Sequence, residues 1–181
     1  VALSRRIGKK PAWLGAMAIN SGAFAGVFTL GPGDAFAYGL LVVVSGAGLG
    51  ATLALPSSMQ ADVIDYDELL TGERREGQYV GLWSIARKLA AAAGVGTALV
   101  VLGTAGYQPS VEQTAEVRLT LRVLYCLVPC ACNAIAFAVA LAYPIDQARH
   151  RAIREGVAAR RDGCPAVDPL KPGTILKVSE G

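Results

Sequence analysis

Four unbroken apolar runs, residues 12–30, 36–55, 79–102 and 121–143, constrain this chain more than any other feature. Each is close to the ~20 residues that cross a ~30 Å hydrocarbon layer as a helix. Lipid offers no partner to backbone N–H and C=O groups, so a crossing segment is either a helix or a barrel strand. Barrel strands need only about ten residues, so runs of this length read as helices. The first two runs contain no charged residue, the third holds Arg87 and Lys88, and the fourth holds Arg122 near its start. Charged residues make up 17% of the chain, against about 25% in a soluble domain. The expected fold is all-α and transmembrane. Residues 1–11 form a cytoplasmic loop, 12–143 a four-helix part of a larger bundle, and 144–181 a cytoplasmic tail, basic and then disordered. The connections fall at 31–35, 56–78 and 103–120.

Basic residues near membrane ends set orientation. Arg5, Arg6, Lys9, Lys10, Arg74, Arg75, Arg149, Arg151, Arg154, Arg160 and Arg161 all fall on one side of the four runs, while the opposite loops hold only Arg118. Both termini and the 56–78 loop are therefore expected in the cytoplasm of a multi-pass inner-membrane protein. The net charge of +3 is too small to argue for nucleic acid. Val1 is neither an initiator nor part of a signal peptide, and the start reads as a truncation within a loop. Cys126, Cys130 and Cys132 lie inside an apolar run and Cys164 in the tail. Without paired C-x-x-C motifs they read as small helix residues, not a zinc site.

Lys88 carries the most information. It lies about 15 Å into a helix starting near Gln78, close to the membrane midplane, where a charge needs a partner or water. Gly81, Ser84, Ala91, Ala92 and Gly96 share its face. A small, partly polar surface suits either a substrate or cation pocket containing Lys88 and Ser84, or a structural ion pair with another helix. Arg87 points elsewhere and could stack on Trp83. Gly22/Gly26 and Gly46/Gly50 are G-x-x-x-G pairs that would let helices approach, and Asn20 and Asn133 are expected to bond between helices. In the 56–78 segment, Asp62, Asp65 and Asp67 precede Arg74 and Arg75, so ion pairs could form at one mouth of the bundle. A D-x-x-D pair could instead hold Mg²⁺ in a membrane enzyme. Arg149, Arg151 and Arg154 fit a short interfacial helix attracted to anionic lipid, followed from Gly163 by a mobile tail. No catalytic constellation is apparent.

The segment A-D-V-I-D-Y-D-E-L-L-T-G-E-R-R-E-G-Q-Y-V-G-L-W-S-I-A-R-K-L-A resembles the loop between helices ten and eleven, plus helix eleven, of the glycoside–pentoside–hexuronide:cation symporters, a branch of the major facilitator superfamily. S-R-R-I-G-K-K, G-Y-Q-P-S-V-E-Q-T and Y-P-I-D resemble the family's flanking loops, so the likeness covers about residues 4–155. The resemblance implies that the chain supplies helices nine to twelve of a twelve-helix transporter working by alternating access. Lys88 would then lie near the substrate and cation pocket. Asp62 and Asp65 would close helix ten and, with Arg74, latch the cytoplasmic side against the N-terminal half. The implied partners are the lipid bilayer, that N-terminal transmembrane half and a small solute such as a sugar or glycoside. The coupling cation, Na⁺ or H⁺, would find its main ligands in the N-terminal half, with no covalently bound cofactor and no enzymatic step. Two rivals remain: a metal-dependent membrane enzyme and a self-sufficient four-helix scaffold.

Overall fold

A computed structural model describes residues 8–176. Arg5 and Arg6 of the basic N-terminal stretch lie outside the described residues. The chain runs α1 (Lys9–Thr29), α2 (Ala35–Thr71), α3 (Glu76–Thr104), α4 (Ala115–Leu141), α5 (Gln147–Arg161), then β1 (Ala166–Val167) paired antiparallel with β2 (Ile175–Leu176). The helices α1 to α4 are each long and apolar enough to cross a membrane, as the four runs predict.

The boundaries differ from the sequence reading in three places. α1 begins at Lys9, inside the expected 1–11 loop. α2 continues through Pro56 to Thr71, so the expected loop at 56–78 shrinks to residues 72–75. At 37 residues α2 is about 55 Å long, well beyond the ~30 Å hydrocarbon layer, so one end of it must lie in water or headgroups. The fall in hydropathy after Leu55 does not end the helix, because Met59, Val63, Tyr66 and Leu70 keep helical spacing. Gly72 supplies the stop, with a φ of 81° that favours a residue lacking Cβ. Finally, the tail is not disordered up to Leu176. α5 is capped by Asp146, whose side chain accepts from the Arg149 amide, and the β1–β2 hairpin follows it.

α4 contains a five-residue π turn, Val123–Leu127. Pro129, two residues later, has no N–H for the Tyr125 carbonyl, and such gaps widen a helix locally.

The chain divides into two compact units. One comprises Leu14–Gly50 and Trp83–Leu141. Within it the Ser45 hydroxyl donates to Asn20 Oδ1 at 2.8 Å, the interhelical role expected of Asn20. A Cβ on Gly48 would lie 3.1 Å from the Ala16 carbonyl oxygen, and one on Gly26 would meet Leu41, whereas Gly22, Gly46 and Gly50 face open space. Close approach therefore uses Gly26 and Gly48, one member of the first G-x-x-x-G pair and neither member of the second. Phe24 and Tyr125 meet edge to face at 5.7 Å. α3 buries none of its residues.

The other unit comprises Val1–Trp13, Ala51–Leu82 and Ala142–Gly181. Its core is Leu69, Ile145, Ile153 and Ala166, flanked by Val63, Tyr66, Tyr143, Val157, Leu170 and Leu176. The hairpin is fixed by Asp168, 1% exposed, which accepts from the Leu170 amide at 2.9 Å and from the Tyr66 hydroxyl at 3.2 Å. Burial of Ala166 against α2 and α5, with a satisfied buried carboxylate, offsets the chain entropy that a Pro- and Gly-rich tail would otherwise keep.

A charged cluster and an uncovered lysine

Extending α2 past Pro56 brings Asp62, Asp65 and Glu68 onto overlapping faces, since residues three apart are neighbours on a helix. Asp62 and Glu68 are buried, at 3% and 7% exposure, and buried carboxylates need partners. Lys9 of α1 donates to Asp62 Oδ1 at 2.5 Å. His150 of α5 places Nε2 3.2 Å from Asp62 Oδ1 and 3.3 Å from Asp65 Oδ2. Arg74 reaches Glu68 at 3.0 Å, Glu76 at 3.1 Å and Asp65 at 3.3 Å. Arg161 of α5 donates through Nε and Nη2 to Glu68, and Arg75 grips Asp67 through two bonds, of 2.5 and 3.0 Å.

Hydrogen bonds hold both loop guanidiniums above their ordinary value, Arg74 chiefly through Glu68 and then Glu76, Arg75 chiefly through Asp67. Beside the cluster the Tyr143 hydroxyl points at the Met59 carbonyl at 3.4 Å. Burial, and then the charge of Asp62, push that phenol well above its usual range.

These groups surround a cavity of about 510 Å³ lined by Lys9, Ser58, Asp62, Asp65, Glu68, Arg74, His150, Arg154 and Arg161. Every carboxylate in it is already ion-paired. Among the described residues no three His, Cys, Asp or Glu side chains are placed to share a metal ion. The arrangement is suited to exchanging charge partners, since each carboxylate has two or more cationic or imidazole groups within reach.

The structure thus brings together Asp65 and Arg74 but gives Asp62 to Lys9 and His150. Sequence reasoning missed Lys9, Glu68, His150 and Arg161 as members of this cluster. Reading residues 56–71 as helix would have placed Glu68 beside Asp65, but nothing local announces the other three. Lys88 and Ser84 lie on α3, exposed, with Lys88 twelve residues after Glu76 and so about 18 Å along the helix. Among the described residues no hydrogen bond or ion pair engages the Lys88 ammonium. A separate cleft of about 600 Å³ in the same unit, lined by Tyr38, Arg122, Tyr125 and Cys126 among others, contains neither Lys88 nor Ser84, and its Arg122 donates to the Leu30 carbonyl.

Four helices long and apolar enough to cross a membrane define a polytopic α-helical membrane protein. The family described as MFS/sugar transport protein matches residues 1–147, and the chain belongs to it. The chain is 33% identical over 112 residues to a glucuronide carrier protein homolog of Escherichia coli (strain K12), covering 62% of this chain and 24% of the relative. It is 29% identical over 161 residues to a putative sulfoquinovose importer of Salmonella typhimurium, covering 88% and 34%. It is 30% identical over 113 residues to a sodium-dependent lysophosphatidylcholine symporter of Danio rerio, covering 61% and 21%. These relatives agree with the resemblance to the glycoside–pentoside–hexuronide:cation symporters. The chain spans about a fifth to a third of their length. No solved structure matches it.

Proposed function

We propose that the chain is the C-terminal part, helices nine to twelve, of a symporter that couples entry of Na⁺ or H⁺ to a sugar, glycoside or related small solute by alternating access. The match of residues 1–147 to a sugar-transport family carries this reading. Relatives named as carriers, importers and symporters support it. In this reading the protein is a transporter and not an enzyme. Lys88 and Ser84 face a pocket completed by the N-terminal half, which also supplies the main cation ligands. Asp62, Asp65 and Arg74 belong to the gate at the cytoplasmic mouth, where their present partners give way to residues of the other half. The basic residues flanking α1, α2 and α5 support a reading in which both termini lie in the cytoplasm of an inner membrane.

The test is uptake by the full-length protein in proteoliposomes, with imposed Na⁺ or H⁺ gradients and a panel of glycosides, uronides and free sugars. Gradient-dependent accumulation of one class is expected. Uptake of the whole panel that ignores both gradients would replace the symporter reading with a uniporter.

A further inference from the structure

α5 presents two different faces. Ile153, Gly156 and Val157 pack toward α2, where a Cβ on Gly156 would meet the Leu69 side chain at 2.9 Å. Arg160 donates to the Leu69 carbonyl at 2.6 Å and Arg161 pairs with Glu68. Another face, Gln147, His150, Arg151, Arg154, Glu155 and Ala158, lines a groove of about 460 Å³. Lys9, Arg74, Arg75, Arg160 and Arg161 all have partners, and Arg149 folds back onto the Pro144 carbonyl at 2.5 Å. Arg151 and Arg154 have neither an ion pair nor a hydrogen bond among the described residues. They stand three apart, so their side chains can converge on one ligand. Glu155 is the groove's single carboxylate against two arginines, although His150 and Arg154 also border the cavity of Asp62, Asp65 and Glu68, whose carboxylates are already ion-paired.

We propose that this groove binds the phosphate of an anionic phospholipid headgroup in the membrane that the chain crosses. The inference rests on the four spans and not on the transport reading. Five residues separate Leu141, the end of α4, from Gln147, the start of α5, and a link that short reaches about 20 Å at most. The α5 arginines are therefore tethered near the headgroup layer, where a local excess of anionic phosphate is always present. Guanidinium forks match phosphate oxygens bidentately, and the Gln147 amide at the groove's edge adds a neutral donor. A headgroup arriving from the membrane plane needs no enclosed pocket, which suits an open groove on one helix.

The test is native mass spectrometry of the full-length protein from mixed micelles containing equal phosphatidylglycerol and phosphatidylcholine. Preferential retention of phosphatidylglycerol is expected. Arg151→Gln with Arg154→Gln should weaken it roughly thirtyfold, the effect of two interfacial charges, and more salt should shrink the difference. Arg151→Lys with Arg154→Lys keeps the charge but loses the bidentate fork, so it should bind between the parent and the double Gln variant, and Glu155→Gln should strengthen binding. Hydrogen exchange at the Ile153 amide should be unchanged in every variant, because neither arginine packs in the core. Unchanged lipid retention in the double Gln variant, equal retention of the two lipids, or no gain in Glu155→Gln would each overturn the proposal. Displacement of the lipid by millimolar inorganic phosphate would also overturn it, in favour of a soluble anion.

Discussion

The pairing of Lys9 with Asp62 gives an asymmetric prediction. The two groups lie 2.5 Å apart, but the Asp62 side chain is buried whereas that of Lys9 is 33% exposed. Asp62→Asn leaves an ammonium that water can reach, and the amide oxygen still accepts a hydrogen bond. The cost should be about 1–2 kcal/mol, between an exposed pair and a buried one. Lys9→Met leaves a buried carboxylate with only His150 beside it. Uncompensated buried charges cost about 3–5 kcal/mol, and the His150 contact places the expected loss near the lower figure. Lys9→Met should therefore open this unit about tenfold more often than Asp62→Asn. The double variant should cost less than the sum of the two by about 1–2 kcal/mol. The assay is hydrogen exchange, in nanodiscs, of peptides covering the first turns of α1, residues 58–66 and residues 143–157. Equal losses in the two single variants, or strict additivity in the double, would refute the reasoning.

Three further outcomes are expected of the full-length protein. Asp65→Asn and Arg74→Gln should each slow transport and shift the resting conformation away from outward-open, read by accessibility of a cysteine placed at Glu73; parental rates in both would remove them from the gate. Lys88→Ala should abolish gradient-driven uptake at normal membrane expression, and Lys88→Arg should rescue it poorly because a planar guanidinium does not replace a compact ammonium. Misfolding as the only defect of Lys88→Ala would make the residue structural. Because the fold raises the Tyr143 phenol above its unfolded value, stability is level below about pH 10 and falls as pH rises further, through the folded value. Tyr143→Phe should flatten that alkaline decline in thermal unfolding, and an unchanged slope would count against the assignment.

Composition alone determined the four crossings, because a hydrocarbon layer selects helices by length and apolarity with little regard for what packs beside them. The T-G-E-R-R-E-G block, Lys88 and the neighbouring small residues were equally legible as motifs, since they depend only on local order along the chain. The end of α2 was not, because Pro56 and a drop in hydropathy look the same in a loop and in a helix leaving the membrane. The hairpin of the tail is illegible for a similar reason: the Pro and Gly residues after Gly163 give no sign of the Leu69 and Ile153 surface on which Ala166 settles. The partners of the acidic residues were decided only in three dimensions. Lys9 is 53 residues from Asp62, His150 85 from Asp65 and Arg161 93 from Glu68. A carboxylate leaving water takes whichever cation the packed helices bring within about 3 Å, and the packing of α1 and α5 against the end of α2, not the order of the chain, sets that choice.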